Sequence, residues 1–495
     1  MTTINNLKYE RVLFIYPNYP ANHYGGENDI PPMGIAYICE VLKQSGVETT
    51  LVDMGKLWPV EYLYKKIEDF RPDLIAISMM TFRYKHHYAL INAAKSRFPD
   101  IPLIGGGPHL TAWKSKVLEQ CECLDFGVSL EGEYAMKEFC EGVDIHQIKG
   151  LFYRENNNVI FNGERDLIAD PDLIPFPKYE SFDLTQYSSM IFICSSRGCP
   201  CDCIFCQSKS MLGRKFRARS AQNIFVEITY WYEKGYRSFN FVDDNFTMKM
   251  ERIHELCNLL ITANLNDLVF YVSGVRADKV DYELLKTMKK AGFTHLAFGV
   301  ESASNNILKV LKKNETIETI ENAVTMANDL GFYVVLYFIV GSPYETLDDV
   351  KNSIRFANKY ATGGCNFGSL MPIPDTALME WVRENGKLLM EPDYYLNELA
   401  EYERVPYFEG AGMSLDEKKL ALKITEKTRL KLSKRYKRKL KKNIFKSDAH
   451  RKGIIKAVLL QFVMLLLESK HFNRLYNGNS LMQKFGLLVK NKFRL

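Results

Sequence analysis

The sequence predicts an α/β protein built from two parallel-sheet units and a helical tail. Three observations carry this. Short apolar runs alternate with helical-period stretches in two separate series, five cysteines crowd the start of the second series, and the last 83 residues are rich in lysine. Continuous apolar strands separated by helices specify parallel sheets covered on both faces.

The first series opens with the strand-like run 11–16, which ends in the turn PNYP. A helix follows at 33–46 and stops at Gly46. Strands at 47–53, 74–81 and 101–107 then alternate with helices at 60–70 and 86–97. The pattern predicts a Rossmann-like, flavodoxin-like domain over 1–149, with ligands at the carboxyl ends of its strands. Those ends are PNYP, Asp53, Ser78 to Thr81, and Gly105 to His109. Residues 150–188 read as a linker with one hairpin, LFYRENNNVIFNGE, and a proline-punctuated extended stretch.

A second series runs over 189–400. Strands are predicted at 190–196, 237–243, 268–274, 294–300, 333–341 and 366–372, with helices between them at 221–234, 250–263, 281–291, 304–311, 317–330 and 346–360. Six β/α units predict a partial (β/α)6 TIM barrel with its chemistry at the C-terminal strand ends. Residues 401–495 read as a basic helical C-terminal region.

Composition sets the bounds. With 495 residues, 46% hydrophobic and 25% charged, the chain can bury ordinary cores, which excludes disorder, collagen and a disulfide-stapled miniprotein. No secretory leader opens it. The longest apolar run, 457–467, has 11 residues, whereas a bilayer span takes about 20. The expectation is therefore a cytoplasmic protein without a transmembrane helix. The net charge of +6 hides a split: 413–495 holds 23 Lys+Arg against 5 Asp+Glu, and the rest holds 42 against 54. Eleven of the basic residues lie in 427–446, which contains no acid. Next to the apolar run 454–467, that density suits either an anionic membrane surface or packing against the barrel, and nucleic acid is the weaker alternative.

Cys194, Cys199, Cys201, Cys203 and Cys206 fall within 13 residues. In a cytosolic chain such a cluster reads as metal binding before disulfide. Cys199, Cys203 and Cys206 give CxxxCxxC directly after the first strand of the second unit. Three thiolates suit an iron–sulfur cluster with one open iron, and an open position marks a reactive metal site rather than a structural one. Structural zinc, with Cys201 or Cys194 as fourth ligand, is the bland alternative. The remaining six cysteines read as core or incidental thiols.

At RGCPCDCIFC (197–206) the chain resembles the radical SAM superfamily, with Phe205 as the aromatic before the last cysteine. RKFRARS, FVDDNFT, GVES, FIVGSPYET and PIPDT resemble later motifs of that barrel. PPMGIAYICEVLKQSGVETTLVD, DLIAISMMT, IPLIGGGPHLTA and LEGE resemble the cobalamin-binding domain fused to one branch of it, the branch of anaerobic magnesium-protoporphyrin ester cyclase-like and hopanoid-modifying proteins. The resemblance covers about residues 10–400.

It implies a [4Fe-4S] cluster on Cys199, Cys203 and Cys206, S-adenosylmethionine (SAM) as cosubstrate, and cobalamin. One electron from the cluster would cleave SAM to a 5′-deoxyadenosyl radical. That radical would attack an unactivated carbon of a hydrophobic or secondary metabolite, in methyl transfer or in radical cyclisation or rearrangement. Asp243 and Asp244, Glu301 and Ser302, and Arg276 end the second, fourth and third strands and would meet SAM; Arg217 and Arg219 follow the cysteine loop. Ser78, Thr81, Gly105 and Gly106 would meet cobalamin, since glycines let a backbone approach a flat ligand. His109 would be polar lining. Without DxHxxG, cobalamin would bind with no histidine on cobalt. Cys201 stands where the family has a large residue and would not be a ligand.

The implied partners are a small, lipid-like substrate, a flavodoxin or ferredoxin reductant, and peripheral membrane contact through the basic tail. Competing readings are a tRNA methylthiotransferase-like enzyme, for which Cys39, Cys121 and Cys123 are poorly placed, and a cobalamin or redox sensor with a silent barrel.

Overall fold

The computed structural model describes residues 7–17, 30–56, 58–399 and 404–452. The first unit is a seven-stranded sheet. β1 (Arg11–Tyr16), β2 (Glu48–Asp53), β3 (Leu74–Ser78), β4 (Leu103–Gly106) and β5 (Phe126–Val128) run parallel in the order 2-1-3-4-5. This is the flavodoxin-like order, whose switch point lies between β1 and β3. Helices Met33–Gln44 and Glu133–Cys140 cover one face, where Ile35, Cys39, Leu42, Ala135 and Phe139 pack on Val12, Phe14, Leu74 and Ala76. Helices Val60–Phe70 and Tyr84–Arg97 cover the other, through Leu63, Ile67, Ile91 and Ala94.

The hairpin expected in the linker forms, but it belongs to this sheet. β6 (Leu151–Glu155) pairs antiparallel with β5, and β7 (Asn158–Phe161) closes the edge. Phe152, fully buried and stacked on Phe161, brings it into the core. The extended stretch that follows lies against β2: Leu51 donates its N–H to Ser181, and Tyr187 donates its hydroxyl to Asp53 at 2.7 Å. Asp53, a predicted ligand-facing strand end, is thus occupied by the connector.

The second unit is an all-parallel six-stranded sheet in sequence order: β8 (Met190–Ile193), β9 (Ser238–Phe241), β10 (Val269–Val275), β11 (Phe293–Glu301), β12 (Tyr333–Val340) and β13 (Gly364–Ser369). Among the described residues β8 and β13 do not pair, so this is a partial (β/α)6 barrel. Every second residue of the strands points to the helical layer: Phe239, Phe270, Leu296 and Leu336 join Ile224, Leu256, Leu284 and Ala323 in one core. Side-chain caps start helices Ala221–Glu233, Tyr282–Lys290, Ile317–Asp329 and Leu347–Tyr360, the last with a capping box of Thr346 and Asp349.

The tail begins as part of this core. Helix Leu415–Lys452 lies along β13 and helix Leu347–Tyr360, burying Ala421, Leu422, Thr425 and Leu432. Tyr436 bonds His295 Nε2 at 2.7 Å, and Arg435 bonds the Ala361 carbonyl at 2.9 Å. Packing against the barrel therefore accounts for the helix through about residue 436. The predicted apolar segment 454–467 lies outside the described residues. Among the described residues no helix is long and apolar enough to cross a membrane.

Candidate functional site

A cavity open to solvent lies between the two units. Its floor is the carboxyl end of the first sheet: Phe14 of β1, Ser78 after β3, and Gly105, Gly106 and Gly107 at β4. Its roof comes from the second unit: Cys194 and Arg197 after β8, and Met211 and Leu212 beyond the cysteine loop. Adjacent strands whose connections depart to opposite faces leave such a crevice at the switch point. The lining is mostly apolar, with Met33, Ile35, Ile38 and Val128 among it.

Two glycines show what the cavity is shaped for. A Cβ on Gly106 would meet nothing closer than the Val128 carbonyl at 3.7 Å, and one on Gly34 would meet nothing within 4 Å. Packing requires neither glycine, so both leave room for a large flat ligand. Gly105 differs: a Cβ there would reach Met79 Cε at 2.7 Å, so it is glycine for packing. Ser78, Gly105 and Gly106 line the cavity as predicted. Thr81 does not: it is 5% exposed and lies outside the lining. His109 also departs from its expected place as polar lining. It is fully buried, bonds the Tyr88 hydroxyl at 2.9 Å and stacks on Tyr84, and burial pushes its pKa down to about 3. Among the described residues no histidine lines the cavity.

A buried ionic latch joins the units at the cavity wall. Arg197 bonds Glu131 at 2.9 Å and Glu133 at 2.6 Å; Arg217 bonds the same Glu131 at 2.8 Å and the Ile168 carbonyl. Burial opposes ionisation of Glu131, but Arg217 and Arg197 outweigh it and hold the carboxyl below its usual range. The pairing accounts for LEGE, for Arg197 and for Arg217. Arg219 is structural too, bound to Glu227 and Asn223. Nothing local in the sequence signals the latch, since Glu131 and Arg197 are 66 residues apart.

Cys199, Cys203 and Cys206 lie on the loop after β8, with Cys206 exposed and the other two half-buried. This loop starts two residues beyond the cavity-lining Arg197. Beneath it runs a second ionic network. Arg276 bonds Asp278 at 2.8 Å and the Lys313 carbonyl; Lys313 bonds Glu301 at 3.0 Å and lies 3.6 Å from Glu315. Burial opposes the charge on Lys313, but Glu301 and Glu315 raise its pKa well above the ordinary lysine value. Gly299 is the space for this pair: a Cβ there would lie 2.6 Å from Glu301 Oε1. Lys313 and Glu315 fall between the helices expected at 304–311 and 317–330, where no local pattern marks a buried pair.

The predicted SAM-facing residues divide. Asp243 is buried and accepts from Ser195 at 2.9 Å and from Ser196, tying β9 to β8; burial raises its pKa. Asp244 is exposed at the strand end. Glu301, in a left-handed backbone conformation (φ 62°), serves Lys313, and Arg276 serves the loop network rather than an open cleft. Ser302, Asn245, Thr247 and Ser342 are almost fully buried at the strand ends, and their side chains meet no hydrogen-bond partner among the described residues. Buried polar atoms are nearly always satisfied, so this row fits a polar cosubstrate seated over the strand ends. Among the described residues no three Cys, His, Asp or Glu side chains form a closed cation site. A loop with four thiols, whose one carboxylate, Asp202, pairs with Arg214, suits a soft, sulfur-bridged cluster better than a hard cation.

Residues 193–357 match the radical SAM superfamily and residues 26–140 match the B12 binding domain. An uncharacterized methyltransferase of Pyrococcus horikoshii is 29% identical over 72% of this chain and 80% of its own. An anaerobic magnesium-protoporphyrin IX monomethyl ester cyclase of Cereibacter sphaeroides is 27% identical over 76% of this chain and 64% of its own. Among solved structures, the radical SAM methyltransferase TsrM of Kitasatospora setae, with cobalamin and a [4Fe-4S] cluster bound, superposes with a TM-score of 0.67 at 16% identity. It covers 84% of this chain and 88% of its own, which supports the fold.

Proposed function

We infer the function from one premise: the chain belongs to the radical SAM superfamily, in the branch that carries a B12-binding domain. It is an enzyme that uses SAM, a [4Fe-4S] cluster and cobalamin on a small-molecule substrate. Our reading is methyl transfer to an unactivated carbon of a hydrophobic metabolite. The observation that carries it is the shared wall of the cavity. Cys194 and Arg197 line the cobalamin side, and Cys199 begins the cluster motif two residues later. One substrate can therefore reach both cofactors.

When bound, the cluster supplies the electron that opens SAM, and cobalamin supplies a methyl-transfer centre. The protein supplies placement. Cys199, Cys203 and Cys206 would hold the cluster. Ser302, Asn245 and Thr247 offer hydrogen bonds to SAM, with Asp244 at the rim. Gly34 and Gly106 admit the corrin, while the Glu131–Arg197 latch fixes the distance between the two halves. The apolar walls exclude water from the radical step.

The test is product analysis under reducing, anaerobic conditions with lipid and metabolite extracts. Methyl transfer produces S-adenosylhomocysteine and 5′-deoxyadenosine together, and a CD3-labelled SAM adds the label to the product. Cyclisation or rearrangement would release 5′-deoxyadenosine alone and would overturn this reading. We also assign the reductant to the flavodoxin or ferredoxin class. The outer face of helix Leu415–Lys452 exposes Lys423, Lys427, Lys431, Lys434 and Arg438 beside Leu420 and Leu430. That face supports salt-sensitive contact with anionic membrane from the cytoplasmic side, to be read by cosedimentation with anionic against neutral liposomes.

A further inference from the structure

The inner face of the barrel sheet carries side chains that the two cofactor sites do not use. They alternate along each strand with the helix-facing Phe270, Leu296 and Leu336. Toward the amino ends of the strands three of them form a ladder. Tyr271 of β10 stacks on His295 of β11 at 4.2 Å, and His295 stacks on Tyr333 of β12 at 4.7 Å. The tail helix closes this end. Its Tyr436 crosses the ladder edge-on, at 89° to His295 and 76° to Tyr333, and bonds His295 Nε2 at 2.7 Å. Thr294 lies 2.8 Å from His295 Nδ1 and gives its own proton to the Phe270 carbonyl, so Nδ1 carries the hydrogen and Nε2 accepts from Tyr436. Burial pushes the His295 pKa down to about 4, so this floor is uncharged at neutral pH.

Above the floor the interior is hollow. Ser273 and Tyr337 lie within central strands of a parallel sheet, where side chains are normally buried on both faces, yet both are exposed, Tyr337 by 36%. Between them β11 offers only Ala297 and Gly299. Two inter-strand spacings separate β10 from β12, about 10 Å, which leaves room for a flat bicyclic ring. Hydrogen-bonding groups are few. Ser273 donates to Asn240 Oδ1 at 3.0 Å, and the Tyr337 hydroxyl meets no partner among the described residues. Tyr337 stands beside Gly299, two residues short of the strand end at Glu301. The six strands contain a single Asp, Glu, Lys or Arg, which is Glu301 itself. Arg404, which bonds Asn366 of β13 at 2.9 Å, is paired with Glu426 at 2.8 Å.

We propose that this chamber binds the substrate through a flat, uncharged ring system bearing a carbonyl or hydroxyl oxygen, with Tyr337 donating to that oxygen and Ala297 setting the room for the ring. This deepens the methyl-transfer reading and rests on it for the chemistry that follows binding. The ladder presents ring edges, whose partial positive charge favours the π face of a ligand ring. A charged group would lose its water here without gaining a counter-ion. A rigid ring also gives up less conformational freedom than an alkyl chain on entering a closed space.

The test uses the full-length chain loaded with cluster and cobalamin, kept anaerobic with SAM present, and equilibrium dialysis against prodan, an uncharged naphthyl ketone. Wild type should bind one prodan per chain. Anilinonaphthalene sulfonate, similar in size but charged, should bind about tenfold more weakly, and dodecanol, uncharged but without a ring, should displace prodan about tenfold less well than naphthol. Ala297→Leu should weaken prodan about tenfold by filling the space above the floor. Tyr337→Phe should weaken prodan about fivefold and leave naphthalene, which has no oxygen, unaffected. Iron content, cobalamin content and the thermal midpoint check that each variant is folded. Ser273→Leu, at an exposed position, fills the same space if Ala297→Leu does not fold. The proposal is overturned if prodan does not bind, if the sulfonate or dodecanol competes equally well, or if the folded filling variants leave prodan affinity unchanged. Release of 5′-deoxyadenosine without S-adenosylhomocysteine would instead defeat the methyl-transfer reading and leave the ligand class of the chamber standing.

Discussion

The two halves of the site solve opposite problems. The cavity end of the first sheet is shaped by what is missing: Gly34 and Gly106 leave space, the walls are mostly apolar, and the charged groups Glu131, Glu133 and Arg197 sit at the edge toward the second unit. The strand ends of the barrel are shaped by charge: Arg276, Lys313, Glu301 and Glu315 are buried together, and Ser302 and Asn245 meet no partner among the described residues. The difference teaches how each half recognises its ligand. A large rigid corrin is held by shape and apolar burial, so the receptor can be preformed and uncharged. A small, charged cosubstrate and an anionic cluster need fixed donors and cations, and burying those demands that they neutralise one another.

The contrast can be broken one half at a time. The largest effect should come from Cys203→Ala, which removes a cluster ligand. SAM cleavage to 5′-deoxyadenosine, measured by chromatography, should fall to background while cobalamin binding persists. Loss of both would show that the halves are not independent. Arg197→Met should come next, because it strands Glu133 in a buried site. Breaking one partner of a buried pair costs about 3–5 kcal/mol, so the thermal midpoint should drop by roughly 5–10 °C. The two cofactors should also uncouple, and an unchanged midpoint would deny the latch its role. Gly106→Val should leave the midpoint within about 2 °C of wild type and weaken cobalamin at least tenfold, or about 1.4 kcal/mol. Gly105→Val should do the reverse and destabilise the fold through Met79.

A further effect is a pH dependence. Glu345 accepts the Gly341 N–H at 2.6 Å beneath the fifth strand end, and burial pushes its pKa up to about 8. The folded state then holds a proton that the unfolded state releases above about 4.5. Its contribution is present in full below that value and fades as pH rises toward 8, with a slope of at most about 1.4 kcal/mol per pH unit. Glu345→Gln should flatten the stability curve between pH 5 and 8. An unaltered curve would mean that the carboxylate is ionised in place.

Legibility in the sequence followed distance along the chain. All six barrel strands were readable because each is a run of four to nine residues with its own periodicity. β5 was missed because Phe126–Val128 is three residues, too short to show a period. The hairpin was readable as a hairpin, but its place in the first sheet depends on where Phe152 finds a core. The cysteine motif was the clearest signal because its ligands are adjacent in sequence. Thr81 is expected in the crevice but lies outside it, and LEGE does not show that Glu131 turns to Arg197 and Arg217, because a strand end does not reveal where its side chains point.

By itself the sequence determined the two parallel-sheet units, their order, the thiol cluster and the excess of positive charge at the end. These rest on local periodicity and on ligands a few residues apart, which short stretches of chain specify without reference to the rest. Only the tertiary structure decided that the tail helix begins as core, that Glu131 and Glu133 clasp Arg197, and that Arg276 donates to the Cys201 sulfur. Each of those is a contact between segments at least 60 residues apart. Such pairs form where strand order and packing bring their elements together, and no local pattern of residues encodes that meeting.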